Sequence, residues 1–253
     1  FGKAFHNVEV HDSSQNAILK GNYATYHQNP ESAMITDSAL FIQYSEGDSL
    51  FVHADTLSSE TDSTGSYKIM RAYYRVKLFK EDLQGKCDSL SYSYSDSVIQ
   101  LHKNPVLWSD ENQLTADTIK IHTRARHVDY IEMQKSAYII SQEDSMRFNQ
   151  IKGKDMIGYF RNDQLYRINV TGNGQTIYYV KENDEIIGVN KAESSNIIIY
   201  LKDKEIQSIS LISNPDGILN PPDEIPLTEL RLKDFVWHDM NRPKTKRDIF
   251  RWD

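Results

Sequence analysis

A serine, an aspartate and a histidine are the residues of this sequence best suited to nucleophilic chemistry. Ser49 lies in the tetrapeptide Gly-Asp-Ser-Leu at residues 47–50, which carries the nucleophile in one class of esterases. Such a serine is activated by an Asp-x-x-His pair, but Asp234 and His238 have one residue too many between them. Asp-Ser-Leu also recurs at residues 88–90 within a repeat, and the alternating strands and helices of such esterases are missing. The sequence therefore predicts no catalytic residue.

Histidines and glycines are the candidates for metal or phosphate binding. His122 and His127 are five residues apart in a predicted strand end and turn, with no Asp or Cys at zinc-ligand spacing beside them. Residues 171–175 (TGNGQ) lack the lysine of a phosphate-binding loop and predict a hairpin turn. We therefore expect neither a metal nor a cofactor.

A repeated aspartate is the strongest internal pattern. Asp55, Asp88 and Asp117 each follow a small residue and precede a hydroxyl residue and an aliphatic one, at spacings of 33 and 29 positions. Looser copies lie at residues 36–40 and 154–157. Stacked copies could align their carboxylates into a calcium-binding ladder. One carboxylate per repeat, flanked by a hydroxyl group, instead favours hydrogen bonding to freed backbone groups at a chain corner.

The residues around each aspartate predict the elements that position it. In the second copy Leu83, Gly85 and Cys87 alternate with polar residues, and after Asp88 the alternation resumes one step out of phase. A period of two predicts a strand, and a slip of one residue predicts a bulge or corner. Cys87 is then a small buried hydrophobic residue. A repeat of about 30 residues predicts stacked units that cannot bury their apolar faces alone.

Composition restricts the class of protein. Apolar residues make up 39% of the chain, and its net charge of −7 argues against nucleic acid, which needs a basic face. The single cysteine allows no internal disulfide, and no stretch approaches the ~18 apolar residues of a membrane helix. The basic residues 242–247 predict a solvated tail. Because the chain begins at Phe1 without Met, we expect a fragment or a mature product that has lost its targeting segment.

Strand-like runs continue along most of the chain, and they predict roughly fifteen to twenty short strands with little helix. Possible helical pieces lie at residues 191–196 and 228–240. We expect one repeat domain over residues 1–220 and a C-terminal extension or linker over residues 221–253. The ends of a stack of repeats expose strand edges, which need a cap or a partner.

The repeat resembles a known family. Residues 50–57 (LFVHADTL), 83–92 (LQGKCDSLSY) and 114–122 (LTADTIKIH), with the connection VIQLHKNPVLWSDENQ at residues 98–113, resemble the OstA-like repeats of LptA-type lipopolysaccharide-transport proteins. The resemblance implies an all-β fold, an elongated β-jellyroll or β-taco, whose open-ended, folded-over sheet holds acyl chains. It also implies a location in the periplasm of Gram-negative bacteria and end-to-end assembly of related modules through strand edges.

The resemblance and the alternation together predict a lipid-binding surface of inward-facing side chains. Lipopolysaccharide is the implied ligand, and we expect no enzyme activity. The predicted lining residues are Val52, Ala54, Leu57, Leu83, Leu90, Tyr92, Leu114, Ala116, Ile119 and Ile121. A lining residue and a core residue have the same sequence pattern, so two alternatives stay open. One is a structural β-solenoid or adhesin-like stalk with a filled core, and the other is a polysaccharide-processing enzyme with paired carboxylates on an exposed strip.

Overall fold

A computed structural model of the chain shows antiparallel strands along most of its length, which confirms the all-β prediction. The structure describes every residue except 14–15, 45–48, 62–64, 66–67, 126, 184, 204, 223 and 253. The strands within this part of the chain are β1 (Gly2–Asp12), β2 (Ala17–Gln28), β3 (Glu31–Gln43), β4 (Leu50–Thr61), β5 (Lys68–Lys80), β6 (Leu83–Ser93), β7 (Val98–His102), β8 (Val106–Ser109), β9 (Asn112–Thr115), β10 (Thr118–Arg124), β11 (His127–Gln142), β12 (Phe148–Arg161), β13 (Gln164–Glu182), β14 (Glu185–Lys202), β15 (Glu205–Ile212) and β16 (Asp216–Asn220).

The strands group into two compact units. Unit 1 comprises residues 1–110 and 239–253, and unit 2 comprises residues 111–238. In unit 1 the strands β1 to β7 pair in sequence order, and β8 pairs with β6 beside β7. In unit 2 the strands β10 to β15 pair in order, with β9 on β11 and β16 on β14. The division expected at residue 220 coincides with the end of β16 and stays a prediction as a domain boundary.

Each long strand bends near its middle, where the register with its neighbour slips. At these bends, pairs of consecutive residues, most of them not glycine, adopt left-handed backbone angles. These pairs are His6–Asn7, Asp37–Ser38, Lys103–Asn104, Lys135–Ser136, Gly172–Asn173 and Ser213–Asn214. A left-handed residue with a Cβ atom costs about 1–2 kcal/mol. Across the bend the buried face of a strand changes phase. Within each unit the sheet therefore folds over into two arms that meet at the bends, hereafter the corner.

The repeated aspartates lie at the corner, as the phase slip predicts. The extra residue of each bulge belongs to the neighbouring strand, however, so that Asp55 and Asp88 each lie opposite two residues. The Asp55 carboxylate accepts hydrogen bonds from Arg75 Nε at 3.0 and 3.1 Å, and Asp88 pairs with Lys103 at 3.2 Å. These two carboxylates therefore bind cationic side chains, whereas the sequence predicted bonds to backbone groups.

Three predictions about single segments are wrong. Residues 171–175 form no hairpin turn, because the corner pair that begins at Gly172 continues β13. Residues 191–196 lie within β14 instead of a helix, and residues 228–240 contain turns and the start of one short 3-10 helix, Asp239–Asn241. In residues 191–196 pairing with neighbouring strands overrides the weak local helix propensity, and in residues 228–240 packing of the chain against the sheet does so.

Unit 2 carries a second apolar cluster on the outer face of its sheet. Residues 227–238, hereafter the strap, lie on this face and bury Leu230 and Leu232 against it. The buried strand residues of the cluster are Tyr138, Ile140, Phe148, Ile177, Tyr179 and Val189. The strap therefore closes an outer face that strands alone would leave as an exposed apolar patch.

Two buried glutamines hold the strap by its backbone. The Gln150 side chain donates to Leu230 O at 2.9 Å and accepts from Leu232 N at 2.9 Å. Gln113 makes the same pair of hydrogen bonds with residues 236–238, at 2.8 and 2.6 Å. Both glutamines are fully buried. A buried amide is stable only when its donor and acceptor are satisfied, so the strap supplies groups that these side chains require.

In unit 1 residues 239–252, hereafter the tail, cover the outer face of one arm. Ile249 is buried, and the Phe250 ring lies 4.6 Å from the ring of His53 on β4. Lys77 Nζ donates to the backbone oxygen of Arg251 at 2.5 Å and lies 5.5 Å from the centre of the Trp252 ring. The tail is therefore held chiefly by side chains of the sheet that project away from the interior.

Candidate functional site: the apolar interior

The inner face of unit 1 is built from register rows, in which side chains on neighbouring strands face one another. On one arm the row from β2 to β7 contains Ala24, Ile35, Leu57, Ala72, Leu90 and Leu101. On the other arm the row from β3 to β5 contains Phe41, Val52 and Leu78. All nine side chains are buried. Neighbouring strands lie about 4.8 Å apart, so each row is a continuous apolar strip across the sheet.

The ten predicted lining residues divide between the units. Unit 1 contains Val52, Ala54, Leu57, Leu83, Leu90 and Tyr92, and unit 2 contains Leu114, Ala116, Ile119 and Ile121. Leu83 and Tyr92 are half-buried, and the other eight residues are buried. The structure therefore brings six of them together in one unit and four in the other. Their role in lipid binding stays a prediction.

Sequence reasoning missed most of the inner face of unit 2. The row that begins at Ile119 continues through Met133, Met156, Val170, Ile197 and Leu211. Its first five members are at most 1% exposed. These strands keep the alternation with a period of two but lack the small-Asp-hydroxyl motif, and that alternation is the signal that could have identified them.

Small residues line the corner on its inner side, as the repeat predicts. Ala39 and Ala54 face each other on β3 and β4, and both are completely buried. In unit 2 Ala137 faces Gly153, where an added Cβ atom would lie 2.3 Å from Val170 Cγ1. A larger side chain at these positions would force the two arms apart.

The residues considered for chemistry are not arranged for it. Ser49 is half-buried beside β4, while residues 47–48 of its motif lie outside the described residues. The Asp234 carboxylate pairs with Lys152 at 2.9 Å. Burial raises the pKa of the Cys87 thiol to about 12, and Cys87 Sγ donates to Ser89 O at 3.2 Å, so this thiol is not ionised. In the part of the chain that the structure describes, no three His, Cys, Asp or Glu residues form a group that could hold a metal.

The interior of unit 1 opens at its edge strand, β1. Val10 on β1 faces Leu19 on β2, which faces Phe41 on β3. Val10 is 40% exposed, Leu19 is half-buried and Phe41 is 2% exposed. An apolar strip therefore runs from a solvent-exposed edge into the buried interior of the sheet.

The inner face of unit 2 also becomes exposed towards its last strands. Leu211 on β15 is half-buried, although Ile197, which it faces on β14, is completely buried. On β16 the side chain of Leu219, which lies on the inner side opposite Asn190, is 62% exposed, and Ile218 on the outer side is 61% exposed. Apolar residues on edge strands are ready to pair with or cover another molecule.

These features define a class of protein: an all-β module made of a folded-over antiparallel sheet with an apolar inner face that opens at an edge strand. Residues 6–127 match the family model described as LptA/(LptD N-terminal domain) LPS transport protein. The match agrees with the resemblance of the repeat motifs to the OstA-like repeats of lipopolysaccharide-transport proteins.

Similar solved structures include the crystal structure of LptH, the LptA homologous periplasmic component of the conserved lipopolysaccharide transport device from Pseudomonas aeruginosa. The two chains are 14% identical, with a TM-score of 0.43, and the match covers 56% of this chain and 99% of LptH. A search of curated proteins found no match. Among the described residues, no helix has the length and apolar character needed to cross a membrane.

Proposed function

We propose that the chain is a periplasmic module that binds lipopolysaccharide during its transport to the outer membrane and holds the acyl chains against the inner face of the sheet. The observation that carries the proposal is the row from Val10 through Leu19 and Phe41 to Val52, which joins an exposed edge to the buried interior. The family matched by residues 6–127 is described as an LPS transport family, which supports the same ligand. Binding of this kind needs no cofactor.

Apolar burial supplies the binding free energy. Each acyl methylene that leaves water contributes about 0.8 kcal/mol. The net charge of −7 does not attract an anionic head group, so electrostatic attraction over the whole chain is not the driving force. The sugar and phosphate groups therefore stay in water outside the sheet, where their hydration is kept.

Acyl chains reach the deeper rows only if the two arms move apart. Val52, Leu57 and Ile119 are at most 1% exposed, because neighbouring side chains already cover them. Val10 and Leu19 are the accessible end of the same apolar surface in unit 1. We infer that an acyl chain binds first at this end and then separates the arms on the side opposite the corner.

Strand edges supply the surface for partner modules. Among the described strands β1 pairs only with β2, and its neighbour Phe1 and its own Phe5 are 71% and 60% exposed. In unit 2 the edge strand β16 presents Ile218 and Leu219. An edge with free backbone groups and exposed apolar side chains favours pairing with another sheet. We infer that a second copy or a related module adds to these edges.

A structural solenoid with a filled core is the second candidate, and one observation favours it. Eight of the ten predicted lining residues are already buried by their protein neighbours. At Gly153 even one added carbon atom would meet Val170. Such packing is what a core without a ligand requires.

Native mass spectrometry after incubation with lipopolysaccharide and repurification tests the proposal. Val10→Glu places a charge on the inner face at the open edge, where we expect at least about a tenfold loss of retained lipid. His11→Glu is the matched control, because it places the same charge one residue along, on the outer face. Ile119→Glu and Lys120→Glu form a second matched pair in unit 2.

Circular dichroism identifies the variants that keep the fold, and Val10→Glu provides the test if the deeply buried Ile119→Glu does not fold. Retention by the parent and by both control variants, with loss in Val10→Glu, supports acyl binding on the inner face. No retained lipid in a folded parent would overturn the proposal and favour the filled solenoid. Equal retention by Val10→Glu and His11→Glu would show that lipid binds elsewhere.

A further inference from the structure

A row of aromatic and arginine side chains crosses the outer face of unit 2. It lies on the other arm from the one that packs against the strap. From β10 to β14 the row contains His122, Tyr130, Tyr159, Arg167 and Tyr200. Arg161 and Tyr166 lie beside it at the end of the β12–β13 hairpin. These seven residues are hereafter the aromatic–arginine strip. The residues between them on the same strands, such as Ile131 and Ile168, face the interior and are buried, which places the strip outside.

The rings and guanidinium groups of the strip are held flat by stacking. His122 and Tyr130 are parallel to within 11°, with ring centres 4.0 Å apart. The Arg167 guanidinium lies 4.1 Å from the centre of the Tyr159 ring, and the Arg161 guanidinium lies 4.5 Å from that of Tyr166. A stacked guanidinium keeps its N–H edges in one plane, which is the geometry that a carboxylate or phosphate accepts in two parallel hydrogen bonds.

The charges of the strip favour an anion. Arg124 at the end of β10 is paired with Asp129 at 2.8 Å, and His122 lies 3.5 Å from Glu132. Arg161 and Arg167 have no ion pair with any carboxylate of the described residues. The strip thus carries two uncompensated positive charges, on a chain whose net charge is −7.

The corresponding row of unit 1 shows that the fold alone does not require such a strip. Counted from the repeated aspartates, that row contains His27, Ser32, Glu60, Ile69, Ser93 and Val98. It contains no tyrosine and no arginine. The stacked rings and guanidinium groups are therefore a property of unit 2, where Tyr200 remains 43% exposed.

We propose that the aromatic–arginine strip is a binding site for an anionic glycan, a sugar chain that carries carboxylate or phosphate groups. Sugar rings have flat C–H faces that lie on aromatic rings, hydroxyl edges that accept hydrogen bonds from tyrosine and arginine, and anionic groups that pair with Arg161 and Arg167. An acidic peptide fits less well, because peptides that add to a sheet need a free strand edge. The backbone groups of β11 to β13 are already paired on both sides.

This site is independent of the acyl-binding proposal, because it uses the outer face of the sheet. The anionic sugar could be the phosphorylated saccharide of a lipopolysaccharide or a separate acidic polysaccharide. Isothermal titration calorimetry with three probes distinguishes the sources: a delipidated phosphorylated core oligosaccharide, an alginate oligosaccharide and a neutral dextran oligosaccharide. We expect the first or second probe to bind at least about tenfold more tightly than dextran, since two charge-assisted contacts are lost with a neutral sugar.

Arg167→Gln and Tyr200→Ala should each weaken binding of the anionic sugar at least about fivefold. Tyr73→Ala in unit 1 is the matched control and should leave binding unchanged. Polyglutamate and inorganic phosphate measure the contribution of charge alone. Failure of both anionic sugars to bind, or equal binding of polyglutamate, would overturn the proposal, as would unchanged binding in both variants. Retained lipid, measured on the same variants, should persist and so reports on the inner face separately.

Discussion

The outer faces of the two units differ in how each holds the C-terminal residues that lie on it. In unit 2 the buried amides of Gln113 and Gln150 bind the backbone of the strap, and Leu230 is completely buried. In unit 1 the tail buries Ile249, but Phe250 remains 46% exposed and Trp252, beside Lys77, remains 40% exposed. The inner faces are alike, since both are built from apolar register rows. The repeated strands therefore form the interior of each unit, and C-terminal residues cover part of its outer face.

This difference has an energetic meaning. A buried amide that loses its partners costs the full desolvation free energy of its donor and acceptor, whereas an exposed contact is replaced by water. The strap is thus an integral part of the core of unit 2. The tail of unit 1 is a weaker attachment that unit 1 can lose at smaller cost.

The largest expected effect is that of Gln150→Leu in unit 2. The substitution leaves Leu232 N and the Tyr138 hydroxyl without their buried partner, while Leu230 O keeps only the hydrogen bond from Arg231 Nη1. We expect the free energy of unfolding to fall by about 3–5 kcal/mol. Urea unfolding followed by circular dichroism measures it. The matched comparison is Arg242→Leu, which removes one hydrogen bond to Gln84 in unit 1. Asn149→Leu is not a suitable control, because Asn149 also accepts a backbone hydrogen bond. Equal losses would contradict the difference between the units.

Truncation of one apolar residue in each C-terminal segment gives the next largest effect. Leu230→Ala should cost about 2–4 kcal/mol, because it leaves a cavity in a fully buried cluster. Trp252→Ala should cost about 1 kcal/mol or less, since it removes partly exposed cation–π contacts with Lys77 and Lys86. Thermal melting of both variants under the same buffer conditions measures the two costs. A larger loss for Trp252→Ala would reverse the comparison.

The corner aspartates provide a smaller contrast. Asp55→Asn in unit 1 removes the ion pair with Arg75 and should lower stability slightly at low salt. Added sodium chloride should reduce this cost, because both groups are partly exposed. Asp117→Asn in unit 2 should lower stability less. Asp117 donates its backbone N–H to Lys135 O at 3.0 Å, and the substitution keeps this hydrogen bond. Denaturation at two salt concentrations tests both statements, and a salt-independent loss for Asp55→Asn would refute the role of the ion pair.

The smallest expected effect is a dependence of the free energy of unfolding on pH. Burial lowers the pKa of His53, which lies under the tail, below its ordinary value of about 6.5. The unfolded chain therefore binds the proton first, and stability falls as the pH drops from about 6.5 to the lower folded pKa. His53→Gln should remove this slope. Unfolding measured at several pH values in that window checks it, and an unchanged slope would exclude His53 as the cause. Gln113 and Gln150 carry no titratable group, so their hydrogen bonds to the strap do not change with pH.

The alternation of apolar residues was sufficient to predict the strands, the inner face of unit 1 and the corner. Val52, Ala54 and Leu57 show why: two period-two runs joined one step out of phase allow only a bend. The same rule applied to β11 to β14 would have predicted Met133 and Ile197. The strands themselves were predicted, but their inward residues were missed because the prediction followed the aspartate motif, of which these strands carry only the looser copy at residues 154–157.

Two of the left-handed corner pairs, by contrast, contain neither glycine nor asparagine and so had no such sequence signal. Asp37–Ser38 and Lys135–Ser136 adopt a conformation that sequence rules assign chiefly to glycine and asparagine. Only the bonds of the neighbouring strands on either side hold them there. Gly172–Asn173 has the expected composition but was assigned to a hairpin turn, because a turn and a corner bulge use the same residue types.

The sequence by itself determined the class of fold, the inward face of the repeats and the resemblance of the first half to a known family, since these depend on local periodicity and short motifs. Tertiary structure alone decided what lies on the outer faces. Gln113 and Gln150 have no pattern that marks them as buried, and their partners on the strap lie 80 or more positions away in the chain. The aromatic–arginine strip likewise exists only because the register aligns residues from five strands. Contacts between distant residues depend on that register, which local periodicity does not specify.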